Sequence, residues 1–408
     1  MKEKKNLKDL ITYSSRGISP IYSNLGYKVI NQRCIRNNFI NFDNIRFSNI
    51  KKKIDNKKLL IQWDVLINST GVGTLGRVAQ FKHKTINITC DSHVMIVRPN
   101  LDIIDCLYFG YLIISKENLI ESLGKGTTGQ TELSRNDLNK IKFSVIKDIN
   151  QQKKISTILS QYDDLIENNT NRIKSINQII HYEFEQWFRK FKFSGYKKIN
   201  SEKIPEGWKL EKLKKICDVV PGYAFKSKDW KKEGVGVIKI KNINNNEVNI
   251  EQLDFVSKDT LNYINKKFYI LNGDILIAMT GATAGKVGIF KGKNIFLLNQ
   301  RVAKFVPKKH YYEYLRCFLT NPNRRNYFYN LASGTAQPNM SGKQLENINL
   351  LIPPLDVLKK FSEITSPLFK MTNNLFFKNK ILNSTKNILL PNLLSNKIDI
   401  SNIDIKII

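Results

Sequence analysis

The 408-residue chain has few acidic residues for its size, and this shortage is its main compositional feature. It carries 35 Asp and Glu against 66 Lys and Arg, which gives a formal net charge of +31. A basic surplus of this size indicates a polyanionic partner, most simply nucleic acid, because neutralisation of phosphates gives strong, salt-dependent binding. An acidic membrane surface is the competing partner, but no isolated polybasic tail stands beside an amphipathic helix or a lipidation signal.

Long apolar runs and paired cysteines are also missing. No segment approaches the ~18 apolar residues of a membrane span, and the opening MKEKKNLKDLITYSS lacks the apolar core of a signal peptide. The five cysteines form no CxxC pair, which is typical of reduced thiols. The nearest approach to a metal cluster is His83, Cys90 and His93, and no fourth ligand follows at a zinc-like spacing. We therefore expect a soluble, cytoplasmic protein without a metal site.

Two glycine-rich stretches have the outline of phosphate-binding loops but not their chemistry. LIAMTGATAGKV (276–287) has three residues between its glycines and a valine after its lysine, whereas a Walker loop needs four residues and a Ser or Thr. DVLINSTGVGTLGRVAQFK (64–82) contains a formal GxGxxG, which alone is a weak sign of dinucleotide binding. Neither stretch supports a nucleotide-dependent enzyme.

These two stretches are copies of each other. When Asp64 is aligned with Asp274 and Leu75 is treated as an insertion, nine of eighteen aligned positions are identical. Both copies contain an apolar strand, Thr-Gly, a turn, a glycine followed by a basic residue, and then Val and Phe. This pattern predicts a strand-turn-strand unit whose glycines supply the backbone freedom of a tight turn.

The repeat continues over both halves of the chain, with a period of about 206 to 210 residues. DSHV at 91–94 aligns with NQRV at 299–302, and GTTGQTELSRNDLNKIKF at 126–143 aligns with GTAQPNMSGKQLENINL at 334–350. The chain is therefore predicted to be a tandem duplication, and two diverged copies imply two similar but non-identical tasks.

Each half ends in a long helical pattern with apolar residues at alternating steps of four and three, which is a heptad seam. The first seam comprises Ile155, Leu159, Tyr162, Ile166, Asn169, Ile173, Ile176, Ile180 and Trp187. The second, weaker seam comprises Phe361, Ile364, Leu368, Met371, Leu375, Leu382 and Leu389, and Pro367 is expected to kink it or to restart its first turn. Either helix alone could be an ordinary core helix, but their matching positions favour pairing with each other.

The predicted fold class is α+β, with two similar α/β domains built on twisted mixed sheets and separated by two long helices. If the halves surround a pseudo-twofold axis, the helices form an antiparallel coiled coil. A helix of ~35 residues is ~50 Å long, or about fifteen base pairs of duplex, so the pair can act as a ruler. The predicted ranges are 1–148 and 204–353 for the domains, 149–193 and 354–396 for the helices, 194–203 for a linker and 397–408 for a tail.

Several longer segments resemble the specificity subunit of type I restriction-modification systems, over nearly the whole chain. IPEGWKLEKLKKICDVVPGYAFKSKDW (204–230) is similar to the start of that family's target-recognition domain, and LNGDILIAMTGATAGKVGIF and LNQRVAKF are similar to its middle. EFEQWFRKF (183–191) and LLPNLLSNKIDIS (389–401) are similar to the ends of its conserved helical regions. The first half begins with KEKKNLKDLI and has no IPEGW-like lead-in, which leaves open whether an edge of the first domain is simplified.

The resemblance implies a non-catalytic reader of double-stranded DNA, in which each domain binds one half of a split target. It further implies that the helices recruit two methyltransferase subunits and, through them, restriction-translocation subunits. The cofactors, S-adenosylmethionine and ATP with magnesium, would then be bound by the partners. In this chain NPNR at 321–324 lacks the second proline and the aromatic residue of an amino-methyltransferase pocket.

Side chains that read DNA must reach base edges while Lys and Arg hold phosphates, and turns on a rigid sheet suit this task. The candidates in the first half are Arg16, Arg33, Arg36, Thr70, Arg77, His93, Thr127 and Gln130. The candidates in the second half are Tyr223, Lys226, Lys228, Lys241, Thr280, Lys286, Arg301, Thr335 and Gln337. For each of them a solvated or turn-stabilising side chain is the alternative. Because Ser92-His93 aligns with Gln300-Arg301, we expect different half-sites and an asymmetric bipartite target.

Large apolar groups at the helix ends are candidates for a methyltransferase interface, since buried aromatic residues dominate interface energies. They are Trp187, Phe188, Phe191, Leu389, Leu390, Leu393 and Leu394. Packing of the helix pair against the neighbouring domain is the alternative.

Two other functions stay open: a basic two-module scaffold that binds nucleic acid outside restriction-modification, for example RNA, and a self-contained restriction enzyme.

Overall fold

The computed structural model describes residues 2–51, 53–84, 86–126, 131–193, 205–244, 246–332, 338–400 and 403–404. The chain divides into two compact units, Met1–Asn168 with Lys378–Ile408, and Asn169–Phe377. Each unit contains one α/β domain and one half of each of two long helices.

The first unit contains the following elements. Its strands are β1 (Lys2–Asn6), β2 (Ile11–Arg16), β3 (Tyr22–Ser23), β4 (Tyr27–Ile30), β5 (Ile35–Arg36), β6 (Phe39–Ile40), β7 (Arg46–Ser48), β8 (Val65–Asn68), β9 (Val78–Gln80), β10 (Ile88–Cys90), β11 (Val94–Pro99) and β12 (Lys142–Ile146). Its helices are α1 (Cys106–Ile114), α2 (Glu117–Ser122) and α3 (Arg135–Asn139), and the long helix α4 (Ile149–Phe188) begins after β12.

Two four-stranded sheets form the body of the first domain. One has the antiparallel order β2-β11-β8-β9, and the other has the order β10-β4-β7-β3, in which β10 and β4 are parallel. β1 pairs with β12 along the full length of both strands. The first domain therefore has this edge strand although its sequence lacks the IPEGW-like lead-in.

The second unit continues the numbering. Its strands are β13 (Lys209–Lys212), β14 (Cys217–Pro221), β15 (Trp230–Lys231), β16 (Val235–Ile238), β17 (Ile243–Asn244), β18 (Asn246–Val248), β19 (Asp254–Val256), β20 (Tyr269–Ile270), β21 (Ile275–Ala278), β22 (Val287–Ile289), β23 (Phe296–Leu298), β24 (Val302–Pro307) and β25 (Asn349–Ile352). Its helices are α5 (Thr260–Tyr263), α6 (Tyr312–Thr320), α7 (Arg324–Leu331) and α8 (Gly342–Glu346), and the second long helix is α9 (Leu355–Leu394).

The second domain repeats the topology of the first. Its larger sheet has the order β14-β24-β21-β22-β18-β17, whose first four strands match β2-β11-β8-β9. Its other sheet, β15-β19-β16-β23-β20, contains the parallel pair β16 and β23, which matches β4 and β10. β13 pairs with β25 as β1 pairs with β12. The tandem duplication predicted from the sequence is confirmed.

The central strands are apolar along their whole length because both faces of their sheet are covered. In β8, Val65 joins the core cluster that contains α1, whereas Leu66 joins the cluster against the second sheet. In β21, Ile275 and Leu276 divide in the same way between two clusters. The continuous apolar runs that precede both glycine turns therefore reflect a sheet covered on both faces.

The first long helix follows its predicted seam. Ile155, Leu159, Ile166, Ile176, Ile180 and Trp187 are buried in α4. Within the first unit, Asp163 and Ile166 of α4 bond to Lys386 and Asn379 of α9, respectively, so the two helix segments run antiparallel. The predicted antiparallel pairing is confirmed.

The predicted seam of the second long helix was partly wrong. Ile364 and Met371 are 45% and 42% exposed, whereas Thr365 and Thr372 are buried and donate hydrogen bonds to backbone carbonyls of their own helix. Polar residues in the seam thus shifted the apparent register. α9 also continues through Pro367 without a break, so the helix does not restart there as one of the two sequence expectations had it. Pro367 and Glu363, whose carbonyl lacks its usual N–H donor, are both exposed.

Candidate nucleic-acid interface

One edge of the first domain gathers four of the predicted DNA-contacting residues. β11 is antiparallel to both neighbours, with Met95 opposite Arg16 and Val94 opposite Asn68. The end of β2, the turn between β8 and β9 and the start of β11 therefore lie at the same edge of the sheet. We call this the first-domain edge; it comprises Arg16, Thr70, Arg77 and His93.

The residues of the first-domain edge contact one another or nearby backbone. Thr70 Oγ1 lies 2.8 Å from His93 Nδ1. Arg77 donates to the carbonyl of Gly73 at 2.8 Å, and Arg16 donates to the carbonyl of Leu133 at 3.0 Å and forms an ion pair with Glu132. His93 remains exposed. The edge therefore presents hydroxyl, imidazole and guanidinium groups on short, backbone-anchored turns.

The corresponding edge of the second domain comprises Tyr223, Thr280, Lys286 and Arg301, which we call the second-domain edge. Lys286 Nζ donates to Asn244 Oδ1 at 3.4 Å, and Arg301 is exposed. Thr280 Oγ1 is buried and has no hydrogen-bond partner among the described residues. This hydroxyl therefore makes no hydrogen bond that would stabilise the turn within the described residues, and contact of Thr280 with DNA stays a prediction.

Matching backbone hydrogen bonds make the two edges equivalent in space. The amide after Asn68 donates to His93 O, and the amide after Ala278 donates to Arg301 O, both at 2.9 Å. The amides of Asn68 and Ala278 donate to Arg77 O and Lys286 O, respectively, both at 2.9 Å. His93 and Arg301 thus occupy the same place in the two domains, as do Arg77 and Lys286.

The glycine that precedes each basic residue is required by both conformation and space. Gly76 and Gly285 have φ of +86° and +77°. A Cβ atom on Gly76 would lie 2.7 Å from the Cα of Glu121, and one on Gly285 would lie 2.8 Å from the amide nitrogen of Tyr329. The glycine turns thus allow a helix to pack directly on the strand-turn-strand unit, which explains the glycine of each Gly-basic pair without any phosphate ligand.

The other candidates lie outside the two edges or outside the described residues. Arg33 is exposed and follows Gln32, whose carbonyl accepts from Asn68 Nδ2 at 3.1 Å, so it lies near the first-domain edge. Lys241 forms an ion pair with Asp254 at 2.9 Å. Arg36, Lys226 and Lys228 are exposed. Outside the described residues lie Thr127, Gln130, Thr335 and Gln337.

Four residues near the edges were missed. Gln32 Oε1 accepts from Thr74 in the first-domain turn at 3.2 Å, and Glu132 holds Arg16. Asn244 holds Lys286, and the exposed Gln300 precedes Arg301. The difference between Gln300 and its aligned Ser92 was a usable signal. Gln32, Glu132 and Asn244 are distant in sequence from their partners, so no local pattern could have indicated them.

The predicted methyltransferase interface is mostly buried inside the two units. Trp187 and Phe188 are 6% and 7% exposed, and the Phe188 ring lies 4.7 Å from that of Phe361. Leu390, Leu393 and Leu394 belong to the core of the first unit, while Phe191 and Leu389 are half-buried. This burial favours the packing alternative, and a partner interface at these residues stays a prediction.

Buried charged groups outside the edges have structural partners. Arg98 donates to both carboxylate oxygens of Asp64, at 2.8 and 2.9 Å. Burial raises the pKa of Asp64, and the Arg98 hydrogen bonds oppose that rise.

The residues that the structure describes contain no group of three metal-ligating side chains. His83 packs edge-on against Phe42 and Phe81, whereas the ring of His93 contacts Thr70.

None of the helices in the described part of the chain is long and apolar enough to cross a membrane.

Comparisons with known proteins place the chain in a family. Residues 2–178 and 205–384 match the type I restriction modification DNA specificity domain. The type I restriction enzyme MjaVIII specificity subunit of Methanocaldococcus jannaschii is 29% identical over 322 residues, 76% of this chain and 73% of that protein. The HindI specificity subunit of Haemophilus influenzae is 23% identical over 411 residues, 84% of this chain and 88% of that protein.

A solved structure has the same fold. The crystal structure of a type I restriction-modification S subunit from M. genitalium superposes with a TM-score of 0.56 at 16% identity and covers 96% of each chain. The duplicated domains, the antiparallel helices and the family match agree. The chain therefore belongs to the type I restriction-modification DNA specificity family, as a non-catalytic specificity subunit of such a complex.

Proposed function

We propose that each domain of this chain reads one half of an asymmetric bipartite sequence in double-stranded DNA. The observation that carries this proposal is the equivalence of His93 and Arg301, which occupy the same place in two matching frames but differ in chemistry. Arginine can donate two hydrogen bonds to the O6 and N7 of guanine, which histidine cannot imitate. Two domains that differ at this position would select different bases.

The basic surplus supports binding of the DNA backbone around these contacts. A net charge of +31 provides many lysines and arginines to neutralise phosphates, and such contacts fix the register of a protein on duplex DNA without reading its sequence. Lys286 and the exposed Arg33, Arg36, Lys226 and Lys228 fit this role. We expect binding to weaken steeply as the salt concentration rises.

The two long helices are suited to set the separation of the half-sites. Each has 40 residues, which corresponds to ~60 Å at 1.5 Å per residue, or about eighteen base pairs. We further propose that the helices recruit two methyltransferase subunits and, through them, the restriction-translocation subunits, in the cytoplasm where these subunits meet the DNA.

The partners would supply the chemistry of the complex. In this proposal S-adenosylmethionine is bound by the methyltransferase subunits, and ATP with magnesium by the restriction-translocation subunits. Family membership removes the alternative of a nucleic-acid scaffold outside restriction-modification. It also removes the self-contained restriction enzyme, since a specificity subunit is non-catalytic.

Mapping of methylated adenines tests this proposal. The chain would be co-expressed with its methyltransferase subunit in a host that lacks other adenine methylation, and the methylated sites would be aligned. We expect two short specific elements of different sequence, separated by a fixed number of unspecified bases. A continuous motif or a perfect palindrome would contradict the proposal, and so would methylation that does not depend on this chain.

A further inference from the structure

An aromatic cluster lies beside the second-domain edge. It comprises Tyr223, Phe225, Trp230 and Phe268. The ring of Tyr223 lies 5.0 Å from that of Phe225 and 5.4 Å from that of Phe268, and Phe225 lies 5.6 Å from Trp230. The two neighbours meet Tyr223 at 67° and 66°, so neither is stacked parallel to it. Tyr223 remains 36% exposed.

Tyr223 is anchored at the edge by its backbone. Its carbonyl accepts from Gln300 N at 2.9 Å, and its amide donates to Leu298 O at 2.8 Å. Gln300 directly precedes Arg301, so the backbone of Tyr223 lies beside the backbone of Arg301. Since two rings support Tyr223 from the protein side, it loses little conformational freedom when it contacts a ligand.

The first domain has an aliphatic residue at the same place. Ile18 N donates to Cys90 O at 2.8 Å, and Ile18 bridges to Asp91, as Tyr223 bridges to Asn299. Ile18 is 6% exposed and belongs to the buried core residues of the chain. The frames are equivalent, but an exposed ring is present at this point of the second domain alone.

Lysines surround the aromatic cluster. Lys226 and Lys228 are exposed within five residues of Tyr223. Lys239 Nζ lies 3.6 Å from the ring centre of Trp230, and Lys267 Nζ lies 5.0 Å from that of Phe268. Aromatic rings interleaved with cations are the combination that proteins use to stack on nucleobases while they hold the adjacent phosphates.

We infer that Tyr223 stacks on a nucleobase of the half-site read by the second domain and opens one base step there. This inference rests on the proposed function, because it presumes that the second-domain edge faces duplex DNA. Insertion of a side chain at a base step partly unstacks it, and pyrimidine–purine steps yield most easily. The second half-site is therefore read in part through its deformability, and the first half-site is not.

Fluorescence of 2-aminopurine tests the inference on the complex of the full chain with its methyltransferase subunit. The base analogue is placed in turn at positions in and beside each half-site of the mapped target. The half-site whose selectivity relaxes in Arg301→Ala is assigned to the second domain. Binding is expected to raise the fluorescence at one base step of that half-site. In the other half-site, the fluorescence of DNA bound by the wild-type complex is expected to equal that of DNA bound by the Tyr223→Ala complex at every step.

Variants of Tyr223 separate stacking from other roles. Tyr223→Ala is expected to abolish the rise and to weaken binding by about 5- to 100-fold, the range for loss of one base–aromatic stack. Tyr223→Phe is expected to retain both properties because the ring remains. Tyr263→Ala is the matched control, since Tyr263 is 70% exposed in α5 of the same unit. If Tyr223→Ala fails to fold, Tyr223→Leu decides, because it keeps apolar contact without a planar ring.

The failures of the two proposals are distinguishable. In one outcome the wild-type complex binds the duplex selectively without any rise in 2-aminopurine fluorescence, and in another it does so with equal rises in both half-sites. Either result would overturn the role of Tyr223 alone. Wild-type affinity in Tyr223→Leu would do the same. Absence of selective duplex binding by the wild-type complex would overturn the proposed function and this inference together.

Discussion

His93 in the first domain and Arg301 in the second occupy equivalent backbone positions, but their side chains differ in chemistry. The backbone amides that bind their carbonyls, the strands on either side and the glycine turns beside them are equivalent. His93 contacts Thr70 through its ring, whereas Arg301 is exposed and follows Gln300, whose amide donates to the carbonyl of Tyr223. The backbone around the two positions is therefore the same in both domains, while the side chains that it carries differ.

The two units also hold the long helices by different means. In the first unit, Asp163 of α4 accepts from Lys386 of α9 and from Tyr111 of α1, both at 2.6 Å, and the two charged side chains are 8% and 3% exposed. In the second unit, Phe361 of α9 packs against aromatic rings of α4. A charged pair supports one helix contact, and apolar burial supports the other.

The largest effect is expected from removing one partner of the buried charge pair. Lys386→Met should lower the free energy of unfolding by ~3–5 kcal/mol, because Asp163 would stay buried without its main counter-ion. Urea unfolding of the full chain measures this loss. Adding Asp163→Asn should restore most of it, since the amide oxygen can still accept from Tyr111.

Two controls make this test specific. Phe361→Ala should cost a similar ~3–5 kcal/mol through loss of core packing, and Asp163→Asn should not restore it. Arg189→Ala removes an exposed pair with Glu185 on α4, 3.0 Å long, and should cost less than ~0.5 kcal/mol. A double Lys386→Met, Asp163→Asn variant as unstable as the single variant would show that the pair is not the source of stability.

A smaller effect is expected at the glycine turn of the second domain. Gly281→Ala should cost ~1 kcal/mol, because its φ of +69° is unfavourable for alanine but its surroundings are open. Gly285→Ala should cost ~1–3 kcal/mol more, because the new methyl group meets the backbone at Tyr329. Thermal unfolding of the two variants gives the difference. Gly73→Ala and Gly76→Ala repeat the comparison in the first domain, and equal losses at Gly281 and Gly285 would contradict the packing argument.

Binding free energies at the two edges are expected to change less than the free energy of unfolding does at the buried charge pair. Arg301→Ala in the complex should weaken binding to the mapped target by ~1–3 kcal/mol, the value of one good base contact. His93→Ala should weaken binding less, because one imidazole nitrogen is already engaged with Thr70. Fluorescence anisotropy with duplexes altered in one half-site at a time measures both. Wild-type affinity of the Arg301→Ala complex for every duplex would show that Arg301 does not contact DNA.

The smallest effect is expected at Lys286. If its amino group holds a phosphate, Lys286→Ala should weaken binding to all duplexes alike and reduce the salt slope by about 1. A salt titration of the wild-type and variant complexes measures the slope. A loss of affinity restricted to one base pair, with an unchanged slope, would instead identify Lys286 as a base contact.

Much of the fold could be predicted because it follows from local patterns repeated twice. The Thr-Gly turn, the serine before α3 and the serine before α8 recur in sequence, and the structure shows why the serines are kept: Ser134 and Ser341 cap those short helices by accepting from backbone amides. The seam of α4 was predicted correctly at its apolar positions, such as Ile155, Leu159 and Ile166, which are buried, whereas the buried polar residues of its first half, among them Ser160 and Asp163, were not indicated by the apolar pattern.

Most of the remaining features depend on contacts between residues distant in sequence. The seam of α9 was misjudged because Thr365, Thr372 and Lys386 are polar yet buried. The two threonines bond to carbonyls of their own helix, whereas Lys386 bonds to the distant Asp163. Residues near the edges, such as Gln32 and Asn244, are brought next to their partners by the sheet topology, which the local sequence does not indicate. The burial of Trp187 and Phe188 likewise requires knowledge of the domain that covers them.

The central claim is that each domain reads its own half of the target independently. The most direct test is the map of methylated adenines in cells that carry Arg301→Ala, compared with His93→Ala and the wild-type chain. The account predicts that each variant relaxes base preference in one specific element, a different element for each variant, with the spacing between the elements unchanged. Relaxation of both elements by one variant, or of the same element by both variants, would contradict it.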